Sequence, residues 1–400
     1  MRTITKPLIT TSRGSLPRLL LLLLSATAAV SQAATLTAYA TLPADTFTPG
    51  PTSGQLIEAA NGRQPPFSEQ QPIQGFSALL KGENGAFYAL SDNGFGRRDN
   101  SSDYLLSIYH LNPDFRTATG GSGTITVGDI IHLSDPDGYL PYAATQPHDR
   151  LLTGADLDPE SFQKAMDGSY WVGEEFIPAL VHFSATGVML APPVQLAGLV
   201  SADNPMELDV TLPRSRGFEG MAISPDGKWL YPMLEGALTA APPGLNIYTF
   251  DVAKQQFING HANHPSARYR LDEGATAIGD FTLYSATQGL VIERDSRQGD
   301  AAVIKKIYKV SFEQLDADGF MTKSLVADLL NIKDPHDLDR DGSEHFAFPF
   351  WTIEGLVIID RTTLGVVNDN NYPFGQARDH GGTMPDNNEF ILIDIEPLWE

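Results

Sequence analysis

Five times along this 400-residue chain, a short apolar run ends on an acidic residue. The runs are FYAL (87–90), YWV (170–172), WLYPM (229–233), GLVI (289–292) and LGVV (364–367). They lead into SDNG (91–94), GEE (173–175), LEG (234–236), IERD (292–295) and NDN (368–370). Repetition of one supersecondary unit at a matched position is the signature of a propeller or a solenoid. Carboxylates repeated at that position would meet around a common axis. A ring of carboxylates is costly unless cations neutralise it. The pattern therefore points to a metal-loaded central site.

The repeats align by hand as strands bounded by Gly, Pro, Asn and Asp turns. First strands are expected at 75–79, 154–157, 217–221, 277–281 and 352–356, and second strands end at the acidic positions. Third strands follow at 105–109, 179–183, 245–250, 306–310 and 390–394. Fourth strands are expected at 124–133, 188–196, 266–271 and 325–329, with none before the chain ends. The run at 35–42 has no unit of its own and can complete the last one, which would leave only short edges. The expected fold is all-β, a β-propeller of five to six four-stranded blades, closed by that N-terminal strand. A sixth unit could lie in the Pro-containing stretches 44–74 or 134–152.

Antiparallel strands place the start of strand one and the end of strand two on the same rim. Asp156, Glu160, Glu219, Asp280 and Glu354 should then converge with Asp92, Glu174, Glu175, Glu235, Glu293 and Asp369. Carboxylates and amide oxygens such as that of Asn93 are hard donors, suited to Ca²⁺ or Mg²⁺. Within this set Glu219, Glu354 and Glu175 are the expected catalytic carboxylates, with His380 as an acid/base. Asp92, Asn93, Glu174, Glu235, Asp280, Glu293 and Asp369 are the expected ion ligands. A separate D-x-D-x-D-G run, Asp337, Asp339 and Asp341, has the spacing of half an EF-hand loop, but Phe348 stands where its final Glu would be. Arg97, Arg98, Arg294 and Arg378 interrupt the acidic sequence and are candidates to bind an anionic ester.

Composition excludes several alternatives. The formal net charge of −22 argues against nucleic acid as a partner. No cysteine is present, so disulfides, thiolate metal sites and a cysteine nucleophile are ruled out. There is no nucleophile-elbow serine motif, no H-E-x-x-H, no P-loop and no dinucleotide fingerprint. Residues 1–34 read as an export signal: Arg2, Lys6, Arg13 and Arg18, a leucine run at 19–24, and small residues at 31–34. The apolar run is too short to span a membrane comfortably. A single domain over 35–400, secreted or periplasmic, is expected.

The blocks LTGADLDPES (152–161), YWVGEEF (170–176), GFEGMAISPDGKWLYPMLEG (217–236), IGDFT (278–282), LVIERD (290–295), FPFWTIEG (348–355), NDNNYPF (368–374) and DNNEFILI (386–393) carry a resemblance. In these blocks the chain resembles the bacterial phytase-like proteins, described by an esterase-like activity of phytase. The resemblance implies a secreted β-propeller hydrolase of phosphoesters or esters. With the acidic mouth it gives the expectation of Ca²⁺-assisted hydrolysis of a small phosphoester. Two rivals remain: a calcium-dependent esterase or lactonase, and a periplasmic binding propeller without catalysis.

Overall fold

The computed structural model describes residues 1, 3, 33–142, 150–206, 208–239, 244–378 and 383–400. Nearly all of the expected signal segment, and His380, lie outside the described residues. Among the described residues the fold is all-β, with one 3-10 turn at Gly299–Ala301, and no helix is long and apolar enough to cross a membrane.

Five antiparallel meanders carry the chain. Unit 1 runs Phe76–Lys81, Phe87–Ser91, Ser107–Asp114 and Thr124–His132. Unit 2 runs Pro159–Lys164, Tyr170–Glu174, Ala179–Phe183 and Val194–Gln195. Unit 3 pairs Phe218–Ile223 with Trp229–Leu234, then has a broken third strand, Leu245–Ile247 and Phe250–Asp251, and an outer strand at Ala267–Tyr269. Unit 4 runs Ala277–Leu283, Gln288–Arg294, Lys305–Leu315 and Met321–Asp328. Unit 5 runs Thr352–Ile358, Thr363–Asp369 and Asn388–Asp394. Its fourth strand is Thr35–Leu42, antiparallel to Asn388–Asp394 from Thr35↔Asp394 to Leu42↔Asn388. The N-terminal strand thus closes the last unit, as the repeat pattern implies.

Two strands depart from expectation. The first strand of unit 2 begins at Pro159, because residues 153–156 make a turn in which the Asp156 carboxylate accepts the Thr153 N–H at 2.9 Å. The fourth strand of unit 2 shrinks to two residues behind Pro192 and Pro193, which have no N–H to donate. Neither stretch proposed for a sixth unit forms four strands among the described residues. The first contributes a hairpin, Phe47–Pro49 with Gln70–Pro72, and the second only isolated bridges such as Ser134↔Leu151.

The strands read as nearly continuous apolar runs because both faces of each sheet are covered. Trp171 and Leu180 face unit 3, while their neighbours Val172 and Val181 face unit 1. Five apolar cores result. Four lie between consecutive units, and the fifth lies between units 5 and 1, around Phe76, Phe87, Val367 and Phe390. Full burial of a side chain such as Phe218 contributes about 1.5–3 kcal/mol. The first strands pack side by side in the same cyclic order, which brings their starts to one central mouth.

Candidate functional site

One irregularity recurs in all five units and builds the site. The pairing of strand one with strand two slips by one residue between Phe76 and Ala78, Pro159 and Ser161, Phe218 and Gly220, Ile278 and Asp280, and Ile353 and Gly355. The extra residues are Ser77, Glu160, Glu219, Gly279 and Glu354. A bulge frees one residue from the ladder and re-aims its side chain. Facing these bulges, one residue beyond each slipped pair, stand Asp92, Glu175, Glu235, Arg294 and Asp369.

Eight carboxylates line a single cavity of ≈ 340 Å³: Asp92, Asp158, Glu160, Glu175, Glu219, Glu235, Glu354 and Asp369. Two guanidinium groups share it. Arg294 is 5% exposed, and its Nη2 donates to Glu235 at 2.9 Å, Glu354 at 3.0 Å and Glu219 at 3.3 Å. Arg216 pairs with Glu235 from the other side. Ser77 donates its hydroxyl to Glu354 at 3.3 Å, so the bulge residue of unit 1 also belongs to this network.

Burial dominates the electrostatics. It pushes the Glu354 carboxyl up to about 8 despite the opposing pull of Arg294. It lifts Asp158 and Asp369 to about 6. Asp92, Glu160, Glu175 and Glu219 are raised well above the usual carboxylate range, first by burial and then by neighbouring carboxylates. Charge this dense on buried side chains is sustained by protons or by cations. Two trios bring ligand oxygens within 4.8 Å of one another, Asp158–Glu160–Glu175 and Glu175–Glu219–Glu235. Glu175 Oε1 is buried and has no hydrogen-bond partner. These residues therefore fit a divalent cation.

Several residues expected at the mouth are elsewhere. Glu174 turns away from its neighbour Glu175, because side chains alternate along a strand. It accepts the N–H groups of Phe176 and Ile177 at 2.9 and 2.5 Å and braces a buried loop. Glu293 is one residue short of the mouth-facing position and instead binds Lys323 at 2.6 Å and the Tyr269 hydroxyl at 2.5 Å. Asp280 lies one residue past the bulge and accepts the Leu356 N–H at 2.8 Å, tying unit 4 to unit 5. Asn93 borders the cavity, but its Oδ1 is used by the Gly96 N–H at 2.7 Å.

The arginines scatter as well. Arg97 is exposed beside Asp99 on the surface. Arg98 lies over the Tyr142 ring rather than at the cavity. Arg378 makes a two-pronged bond to Glu389 at 2.9 and 2.7 Å, with Phe346 and Phe350 on its flanks. It lines a different cavity of ≈ 720 Å³, shared with Asp339 and Asp341. The Asp337–Asp339–Asp341 trio could hold an ion, but there its carboxylates accept N–H groups of their own loop, at Gly342, Asp341 and Ser343.

Sequence reasoning missed four contributors, the bulge residue Ser77 among them. Asp158 is hidden because the expected unit 2 strand starts at 154, five residues before Pro159. Arg216 precedes a strand and sits in no repeated position. Trp351, 41% exposed on the cavity rim, is visible only as an aromatic residue just before an expected strand.

A family model described as esterase-like activity of phytase matches residues 71–372. The chain belongs to the phytase-like family. Membership supports a hydrolase and leaves the bond cleaved open. The match ends before the block at 386–393 that also carries the resemblance. Among curated proteins none matches this phytase-like chain. Similar solved structures include a glycosyl hydrolase from Bacteroides ovatus, 10% identical over 91% of this chain and 100% of that one, with TM-score 0.42. An arabinanase from Bacillus subtilis is 12% identical over 81% of this chain and 95% of that one, with TM-score 0.38. A luciferin-regenerating enzyme is 12% identical over 89% and 96%, with TM-score 0.37. Likeness at this level carries no argument about activity.

Proposed function

We propose that this phytase-like chain is an exported, five-bladed propeller that hydrolyses a phosphoester at the carboxylate-lined mouth, assisted by Ca²⁺ or Mg²⁺. One observation carries the reading: among the described residues, eight carboxylates from four units share a ≈ 340 Å³ cavity with only two guanidinium groups. A bound cation would supply Lewis-acid polarisation of the ester and acidify a water. Asp158, Glu160 and Glu175 are the residues to hold it, and Glu219 and Glu235 lie beside them. Arg294 fixes the positions of Glu219, Glu235 and Glu354. Glu354, pushed up to about 8, keeps a proton at neutral pH that it can give to the leaving oxygen. Trp351 offers an aromatic face to the organic part of the ester. Arg216 and Glu235 also wall a neighbouring cavity of ≈ 460 Å³ that includes Ala237, Leu245 and Leu271, which is room for a leaving group.

A second reading, an uncharged carboxylic ester or lactone, is favoured by the arginines. Arg97, Arg98 and Arg378 are absent from the mouth lining, and Arg294 and Arg216 are engaged by carboxylates. The deciding assay uses chelator-stripped protein with p-nitrophenyl phosphate, bis-p-nitrophenyl phosphate, phytate and p-nitrophenyl acetate, with and without Ca²⁺. Calcium-restored phosphate release is expected. Acetate cleavage alone would transfer the assignment to the second reading. Absence of all turnover, with Ca²⁺ still raising Tm, would leave a binding module. The double variant Glu219→Gln/Glu354→Gln should lose about two to three orders of magnitude in kcat while keeping its β-sheet circular dichroism.

A further inference from the structure

The two trios that could take a cation share Glu175 but differ in what already neutralises them. In Glu175–Glu219–Glu235, Arg294 reaches both glutamates of unit 3, and Arg216 reaches Glu235 again. In Asp158–Glu160–Glu175 no lysine or arginine forms an ion pair with any member among the described residues. Asp158 receives the backbone N–H of Asn93 at 3.1 Å, and Glu175 Oε1 receives nothing although Glu175 is 3% exposed. The first trio is compensated by direct ion pairs, whereas the second has only Arg216 acting at longer range on Glu175.

The repeat explains why. At the position facing the bulge, four units place a carboxylate: Asp92, Glu175, Glu235 and Asp369. Unit 4 places Arg294 there, and its bulge residue is Gly279, where units 2, 3 and 5 have glutamate. A Cβ at Gly279 would come within 1.9 Å of the Ile353 carbonyl oxygen, so the carboxylate-bearing side chain of the other units has no room. Unit 4 thus subtracts one acid from each ring and adds a buried positive charge directed at Glu219, Glu235 and Glu354.

We propose that the mouth holds one divalent cation, on Asp158, Glu160 and Glu175, and that Arg294 is a built-in cation standing where a second ion would otherwise bind. This deepens the reading of the mouth as a cation site and rests on it. The site is then a one-metal-plus-arginine centre. A chelator removes the first positive charge and leaves the second in place.

The test is calorimetric titration of the chelator-stripped full chain with Ca²⁺, and with Mn²⁺ followed by electron paramagnetic resonance. Both are run in an Asp339→Asn/Asp341→Asn background, so that the surface loop does not contribute. One site is expected. Glu160→Gln should weaken it by at least about tenfold, and Glu235→Gln should change it much less. Arg294→Met should raise the stoichiometry to two, and Arg294→Lys, which keeps the charge, should leave it at one. Should Arg294→Met fail to fold without metal, the Glu160→Gln and Glu235→Gln pair still decides. Two sites in the unaltered mouth would overturn the proposal. So would loss of binding in Glu235→Gln with Glu160→Gln unaffected. Single-site binding without calcium-dependent turnover would instead overturn the hydrolase reading and leave this one standing.

Discussion

Glu174 and Glu175 are adjacent, both are buried, and strand alternation gives them opposite tasks. Glu174 spends its carboxylate on the N–H groups of Phe176 and Ile177, and Glu175 leaves one oxygen without a partner at the mouth. Removing an acceptor from buried donors costs about 1–3 kcal/mol per group. Glu174→Ala should therefore lower Tm by several degrees with Ca²⁺ affinity close to unaltered, as scanning calorimetry with and without the ion would read. Glu175→Gln should do the reverse. It removes a carboxyl whose ionisation burial opposes, so the metal-free protein becomes more stable at pH 8 while calcium stabilisation is lost. The pair Glu293 and Arg294 repeats the lesson. The acidic residue is conspicuous in the sequence, and its neighbour occupies the mouth.

The bulge is the element-scale device. Each first strand carries one, and three of the five bulge residues are glutamates aimed at the mouth, a placement that regular pairing would not produce. No composition or periodicity announces a one-residue slip, which is why the sequence points to Asp280 although Gly279 holds the bulge position. Gly279→Ala should force unit 4 away from the Ile353 carbonyl and cost about 1–3 kcal/mol, seen as a lower urea midpoint with little change in slope. The closing strand is the second device. Deleting Thr35–Leu42 would expose the edge of Asn388–Asp394 and uncover the part of the core around Phe390 that Ala40 and Leu42 cover. Such a chain is expected to aggregate on size-exclusion chromatography, because a free long edge recruits other strands.

At the scale of the whole molecule, the mouth sets the response to pH. Asp158 and Asp369, raised to about 6, and Glu354, raised to about 8, hold protons more tightly folded than unfolded. Their contribution to stability is therefore fullest at acid pH, and it falls as pH rises from ordinary carboxylate values through about 8. In chelator, Tm should drop steadily between about pH 5 and pH 8, and added Ca²⁺ should restore most at the alkaline end. A flat profile in chelator would mean that the carboxylates are compensated within the chain. The five-fold repeat, the all-β class, the closing N-terminal strand and the presence of a carboxylate mouth were all determined by the sequence itself. Each depends on periodicity, turn residues and alternation, which act locally. The tertiary structure alone decided which acids meet, that Asp158 and Arg216 join them, and that Arg97, Arg98 and Arg378 do not. Those outcomes depend on one-residue register slips and on contacts between units far apart in the chain, and neither leaves a mark in local composition.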